Sequence, residues 1–388
     1  MNRITGTTEK TTVAGETVEA FIPSPLPPVD PPLRLDSSTM AALHQAESSL
    51  DRLELASELV PSIDWFIYGF VRKEAVVSSQ IEGTQATLVD LLDFEALDND
   101  DASPNPDIEE ICNYLDALSY ARSELERPNG LPISMRLLNK CHVRLMDGAR
   151  GASKQPGEIR RSQNWVGGSR PGDAVFVPPP PIALADALSS FERYIHADSD
   201  LPRLVRIGLL HVQFETIHPY LDGNGRIGRL LIALLLESWG LLSRPLLYLS
   251  LYFKSHLDEY YRRLGTVRTE GDWEGWISFF LQGVHLISEE AIQSARELSA
   301  LVKNDRERVL GVRHSTLAAA RLFELLPFNP VLTIKRATTV LDTTRPTATK
   351  AVRTLIGAGV LTETSGRKRD QLFAYTDYLE LLVRGTEL

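Results

Sequence analysis

Within one short stretch, His218-Pro219-Tyr220-Leu221-Asp222-Gly223-Asn224-Gly225-Arg226-Ile227-Gly228-Arg229, the chain gathers an imidazole, a carboxylate, a Gly-Asn-Gly turn and two arginines three residues apart. Imidazole is the side chain poised to take a proton near neutral pH. A glycine-rich turn exposes backbone N–H groups, and a helix beginning there adds its own unpaired N–H groups and the positive end of its dipole. Guanidinium groups in the first turns favour anionic oxygens. The unbroken apolar run Leu230 to Leu236 follows directly, so the stretch reads as a loop feeding a buried helix whose start is built for polyphosphate.

Taken whole, the string resembles the signature of the Fic family, His-Pro-Phe-x-(Asp/Glu)-Gly-Asn-Gly-Arg-x-x-Arg, with Tyr220 where phenylalanine is usual. The exchange keeps an aromatic body and adds a hydroxyl that needs a partner. The resemblance implies a protein adenylyltransferase that moves AMP from ATP to a Tyr, Thr or Ser hydroxyl of a target protein and releases pyrophosphate. His218 would then be the general base and Asp222 the Mg2+ ligand. Asn224 and the backbone of Gly223 and Gly225 would stabilise the charge on the α-phosphate. Arg226 and Arg229 would orient the β- and γ-phosphates, with Ile227 and Gly228 part of the same nucleotide site. Tyr260 is the aromatic residue assigned to the adenine pocket, although spacing alone does not choose it among Tyr248, Tyr252 and Tyr261.

Upstream, Ser78-Ser79-Gln80-Ile81-Glu82-Gly83 resembles the family's inhibitory motif, (Ser/Thr)-x-x-x-Glu-(Gly/Asn), with Ser78, Glu82 and Gly83 in the matching places. By that resemblance Glu82 pairs with Arg229 and fills the space of the γ-phosphate, so the enzyme is autoinhibited. Read without it, Glu82 is a solvated residue near a helix end and Gly83 its C′ glycine. Two other functions stay open: removal of AMP or transfer of another phosphoryl-linked group, and a nucleotide-responsive DNA-binding regulator.

The elements that must hold these residues read as mainly helical. Residues 1–20 are polar, Thr-rich and read as weakly ordered, and Pro23 to Pro32 as an extended arm. Met40, Leu43, Leu50, Leu53 and Leu59 recur at helical spacing, and Leu131 to Leu145 forms another helix capped around Ser134. His142 reads as a packing or surface histidine. Leu97 to Asp107 is an acidic, solvated loop. Between Asn164 and Val177, two short apolar runs around Gly-Gly-Ser-Arg-Pro-Gly-Asp predict a β-hairpin. The family has a flap at this position that docks an extended target segment, here through Gly168, Val175 and Phe176. Arg203 to Thr216 is a helix that delivers His211 and, just past its end, His218.

Near the C-terminus, helices at Leu317–Leu326, at Thr333–Leu341 and from Thr344 to Gly359 precede strands at Val360–Thr364 and Gln371–Tyr375. That order looks like a winged helix-turn-helix domain, with Arg345, Lys350, Arg353 and Arg367 to Arg369 able to meet a phosphate backbone. The expected domains are an N-terminal arm and helical region (1–59), a Fic helical core with its small β-hairpin flap (60–285), a linker helix (286–310) and the winged-helix-like part (311–388). Composition agrees with a folded protein: 43% apolar, 24% charged, net charge −10. The acidic balance argues against non-specific nucleic-acid binding over the whole surface but allows a local basic face. Two cysteines suggest neither a disulfide framework nor a thiolate metal cluster, and no segment reads as a signal peptide or membrane span. A cytoplasmic protein is expected, with a target protein as partner and a homodimer and DNA as partners the sequence allows.

Overall fold

The computed structural model describes residues 3–59, 62–97, 105–148, 151–313, 315–367 and 369–388. The side chain of Leu59, most of the acidic loop (98–104) and Lys368 lie outside them. In chain order the elements are β1 (Gly6–Val13), β2 (Glu16–Pro23), α1 (Ser37–Leu59), α2 (Ile63–Ile81), α3 (Leu88–Ala96), α4 (Pro106–Glu126) and α5 (Met135–Leu145). They continue with α6 (Pro181–His196), α7 (Arg203–Ile217), α8 (Asn224–Ser238), α9 (Ser250–Ser255), α10 (Leu257–Glu270) and α11 (Trp273–Gly311). The last are α12 (Leu317–Leu325), β3 (Val331–Leu332), α13 (Ile334–Leu341), α14 (Arg345–Gly357), β4 (Thr362–Glu363), β5 (Phe373–Ala374) and α15 (Thr376–Leu382). The chain is mainly α, as expected, and no helix among the described residues is long and apolar enough to cross a membrane.

Two compact units emerge: residues 1–51 with 112–288, and residues 52–111 with 289–388. At the centre of the first lie α7 and α8. Every residue from Leu204 to Ile217 is buried, as are Asn224 and Arg226 through Leu236. Burying each Leu or Ile of these helices stabilises the fold by about 1.5–3 kcal/mol. The two helices approach closely at Gly228, where a Cβ would lie 2.2 Å from Glu215 Oε1. Trp276 supports α7 from α11, its indole N–H donating to the Gly208 carbonyl at 2.9 Å.

The N-terminal segment corrects the expectation of weak order. Residues Gly6–Val13 and Glu16–Pro23 form a regular antiparallel hairpin, turned by Ala14 (φ 48°) and Gly15 (φ 84°). Threonine is polar, but its β-branched stem favours the pleated backbone, and Val18 and Ala20 alternate inward onto Val177. The Pro-rich arm is tied down by Arg3, whose buried guanidinium donates to the carbonyls of Pro31, Pro32 and Gly271 and pairs with Glu274 at 2.8 Å.

In the second unit α2 ends in a Schellman motif: Gly83 N–H donates to the Gln80 carbonyl and Thr84 N–H to that of Ser79. Gly83, at φ 99°, is the C′ residue, as expected. Ser78 is buried and Glu82 is exposed at the C-cap. The C-terminal helices start after Thr316, Thr333 and Thr344, the last of these being the expected N-cap. The expected strands shrink to two residues each, and β3, which the sequence did not suggest, pairs with β5 to complete the sheet order β3-β5-β4. Arg345, Lys350, Arg353, Arg367 and Arg369 are exposed.

Candidate active site

His218 closes α7 in the left-handed conformation (φ 50°, ψ 60°), its N–H donating to the Phe214 carbonyl at 2.9 Å. That sharp stop turns the chain into the loop 219–223 and on to α8. The His218 Nδ1 lies 3.3 Å from the Glu215 carbonyl oxygen. A carbonyl only accepts, so Nδ1 carries a proton. The imidazole is half-buried.

The loop is fixed by side chains far from it in sequence. Asn224 pairs with the backbone of Tyr220 through both amide groups, accepting from its N–H and donating to its carbonyl, each at 2.9 Å. That bond uses one hydrogen of the amide nitrogen, which carries two. Asn164 donates to the same carbonyl at 3.1 Å. Tyr220 is fully buried, and its hydroxyl donates to Asn139 Oδ1 at 2.8 Å, which is the partner the phenylalanine exchange requires. Arg160, 2% exposed, donates from Nε to the His218 carbonyl (2.9 Å) and from its terminal nitrogens to those of Pro179 (2.6 Å) and Ser162 (3.3 Å). Its own N–H reaches the Pro219 carbonyl at 2.9 Å. Burial lowers the Arg160 guanidinium to a pKa of about 10, so it is still charged at neutral pH.

His142 stacks on Tyr220 with centroids 3.9 Å apart. The Gly157 N–H donates to its Nδ1 (2.7 Å), which places its own proton on Nε2, donated to the Asp222 carbonyl (2.9 Å). His211 is fixed by the same logic with the nitrogens exchanged. Its Nδ1–H donates to the Gly228 carbonyl at 3.1 Å, and Nε2 accepts from the Tyr260 hydroxyl at 2.8 Å. Burial pushes both histidines down, His142 to about 4 and His211 to about 3. Both are therefore neutral in the native state, and the unfolded chain takes up protons below pH 6.5 that the native state refuses. The stability they contribute is complete above pH 6.5 and is lost as pH falls from there to about 4 for His142 and about 3 for His211. Melts between pH 7 and 4 should show a loss for the wild type that exceeds the loss for His142→Gln by about 3 kcal/mol; parallel curves would contradict this.

At the head of α8, Gly223 (φ 75°) is the N-cap, and a Cβ there would strike Met146 Sδ at 2.9 Å. The helical ladder begins with the Ile227 N–H on the Gly223 carbonyl (3.1 Å), so the amides of Asn224, Gly225 and Arg226 precede it. Gly225 is the half-exposed residue of that first turn. Asp222 Oδ1 accepts from the Gly223 N–H at 2.6 Å and lies 3.7 Å from the Arg226 guanidinium. The Asp222 side chain is 46% exposed and that of Arg226 6%. Arg229 is buried. Among the described residues no group of three or more His, Cys, Asp or Glu could hold a metal ion. A single half-exposed carboxylate fits Mg2+ brought in on phosphate oxygens rather than a resident ion.

Thus His218 closes α7, and Asp222, Gly223, Asn224, Gly225 and Arg226 form the end of the loop and the first turn of α8. Ile227 and Gly228 are buried, the first packed in the core and the second used where α7 and α8 meet. Tyr260, assigned to the adenine pocket, is 1% exposed and lies among Phe253, Trp276 and His211, so it supports Gly228 through His211 instead of lining an open face. Ser78, Glu82 and Gly83 belong to the other unit.

The flap is smaller than expected. A single bridge joins Val166 to Phe176, with a 3-10 turn at Pro171–Asp173 between them and Gly167 and Gly168 both at positive φ. Pro178 to Pro181 follow, and proline has no N–H to extend a ladder. The Val177 carbonyl instead accepts from Phe21 N–H of β2 at 2.9 Å. Phe176 is buried between the Phe21 ring and the Arg268 guanidinium, 3.9 Å above it, while Val175 is 82% exposed.

Residues 132–236 match the Fic/DOC family, and residues 40–123 match its N-terminal region. Over residues 132–236 the chain is similar to a Fic domain. The loop and the start of α8 lie inside the matched stretch. "Protein adenylyltransferase Fic" of Culex quinquefasciatus is 29% identical over 269 residues, covering 66% of this chain and 50% of that protein. Its namesake from Drosophila ananassae is 33% identical over 129 residues, 33% of this chain and 22% of that protein. The chain thus spans half or less of the length of these relatives. A Fic family protein from Desulfovibrio desulfuricans superposes with a TM-score of 0.57 at 19% identity, over 88% of this chain and 97% of that one. A Fic-domain signaling protein from Bacteroides thetaiotaomicron gives 0.50 at 19% identity, over 66% and 97%. At that identity the likeness is one of fold.

Proposed function

We propose that this chain transfers AMP from ATP to a Tyr, Thr or Ser hydroxyl of a target protein, releasing pyrophosphate. The observation that carries the reading is the orientation of His218: with Nδ1–H turned to the Glu215 carbonyl, Nε2 is the ring nitrogen that would serve as base beside the amide-rich start of α8. The acceptor oxygen attacks the α-phosphorus, its proton passes to Nε2, and the bond from that phosphorus to the β-phosphate oxygen breaks. The amides at the start of α8, with the second hydrogen of the Asn224 amide, receive the charge on the α-phosphate. Arg226 and Arg229 steady the departing pyrophosphate. Mg2+, held by Asp222 and the phosphates, would neutralise that charge when bound. The exposed Val175 beside the bridge supports docking of a target segment along the flap. The names of the relatives support the same reading.

Incubation with labelled ATP in native cell extract, followed by mass spectrometry of labelled proteins, tests it. AMP on a hydroxyl side chain is the expected adduct; a different adduct, or only the loss of AMP from a modified protein, would replace it. We further propose that Glu82 restrains the activity, a reading supported by the motif around it. Glu82→Gly should raise labelling roughly tenfold or more, the worth of one displaced charge-assisted contact. Equal rates in the two proteins would remove the restraint.

A further inference from the structure

A polar cavity of about 660 Å³ opens at the end of the α7–α8 pair away from His218. It lies between the start of α7 (Arg203, Arg206), the residue after α8 (Trp239), the end of α6 (His196) and the segments around Glu124 and Ile133. By helix rise it is about 22 Å from His218, so it is separate from the site described above. Its size is that of a small-molecule site.

The charges there favour an anion. Arg206 is 9% exposed. One terminal nitrogen donates to the carbonyls of Tyr194 (2.9 Å) and Ala197 (2.8 Å), while Nε is buried with no hydrogen-bond partner. A buried guanidinium donor left unmatched is costly, and an anionic oxygen is the acceptor that suits it best. Arg203 is exposed beside it and donates to the Trp239 carbonyl at 2.6 Å. The Arg206 guanidinium also lies 4.6 Å from the Trp239 ring centre. The one carboxylate on the wall, Glu124, is already matched by Arg127 at 2.6 Å and by the Leu131 N–H at 3.3 Å. His196 donates its Nε2–H to the Ile133 carbonyl at 2.8 Å and adds no negative charge. The first-turn amides of α7 face the same end of the helix, with Pro202 at the N-cap and no side-chain cap.

We infer that this cavity is a binding site for a small anion of the carboxylate or phosphate type, held by Arg203 and Arg206 beside Trp239. The probes are inorganic phosphate and acetate, added to the 388-residue chain at constant ionic strength set with chloride. The readout is the Trp239 indole N–H resonance, assigned with a Trp239→Phe variant. A saturable shift is expected, stronger with phosphate if the ligand is a phosphoryl group and comparable with acetate if it is a carboxylate. Arg203→Gln should weaken the response roughly tenfold or more, with the fold checked by its melting curve. Arg206→Gln should do the same, but it also frees the α6 carbonyls, so the surface variant carries the decision. A Trp239 resonance that phosphate and acetate move no more than chloride does, or an unchanged response in Arg203→Gln, would overturn the inference.

Discussion

His218→Ala is expected to lower AMP transfer by at least 10²- to 10⁴-fold, the usual worth of a positioned general base. The variant should still fold and bind ATP. The side chain sits half-exposed at a helix end rather than in the core, so its removal leaves no sizeable cavity. The amides of Asn224, Gly225 and Arg226 belong to α8 and do not depend on it. Labelled-ATP incorporation measures the first effect and calorimetry with ATP the second. Activity within tenfold of the wild type would remove His218 from the role of base, and loss of ATP binding as well would make it a structural residue.

The second large effect is expected at Arg160. Its guanidinium and its N–H together bond four carbonyls, of His218, Pro219, Pro179 and Ser162, and so connect the catalytic loop to the end of the flap. Arg160→Ala would leave buried carbonyls unmatched and should destabilise the protein by about 3 kcal/mol or more. Arg160→Lys keeps a charge but lacks the planar fork. It should fold, with kcat reduced about 10²-fold by a displaced imidazole and KM for ATP little changed. A Lys variant with wild-type kcat would show that the loop holds its shape without the arginine.

What could be read in advance follows from how local each signal is. The loop and the start of α8 were legible because turn glycines, arginines and the apolar run are contiguous. The supports were not. Arg160 holds the His218 carbonyl directly, Asn139, Asn164 and His142 act through Tyr220, all from distant segments, and a buried arginine or asparagine has no periodicity to mark it. The N-terminal hairpin carried a usable signal, β-branched alternation around Ala14-Gly15, but the polarity of threonine masked it. The flap failed for the opposite reason. Its apolar runs suggested strands, whereas the double glycine and the proline run that bracket them left room for a single bridge. Tyr260 has the composition of a base-stacking residue, and only burial assigns it to the core.

The left-handed backbone of His218 has one more consequence. A residue with a Cβ pays about 1–2 kcal/mol to sit there, whereas glycine sits there freely. His218→Gly should therefore melt no lower than the wild type while losing its transfer activity. A melting temperature clearly below that of the wild type would instead mean that the imidazole contacts outweigh the strain. If the expectation holds, random libraries screened only for thermal resistance will accumulate inactive proteins at this position. Selection for a catalyst and selection for a durable fold would then pull one codon in opposite directions.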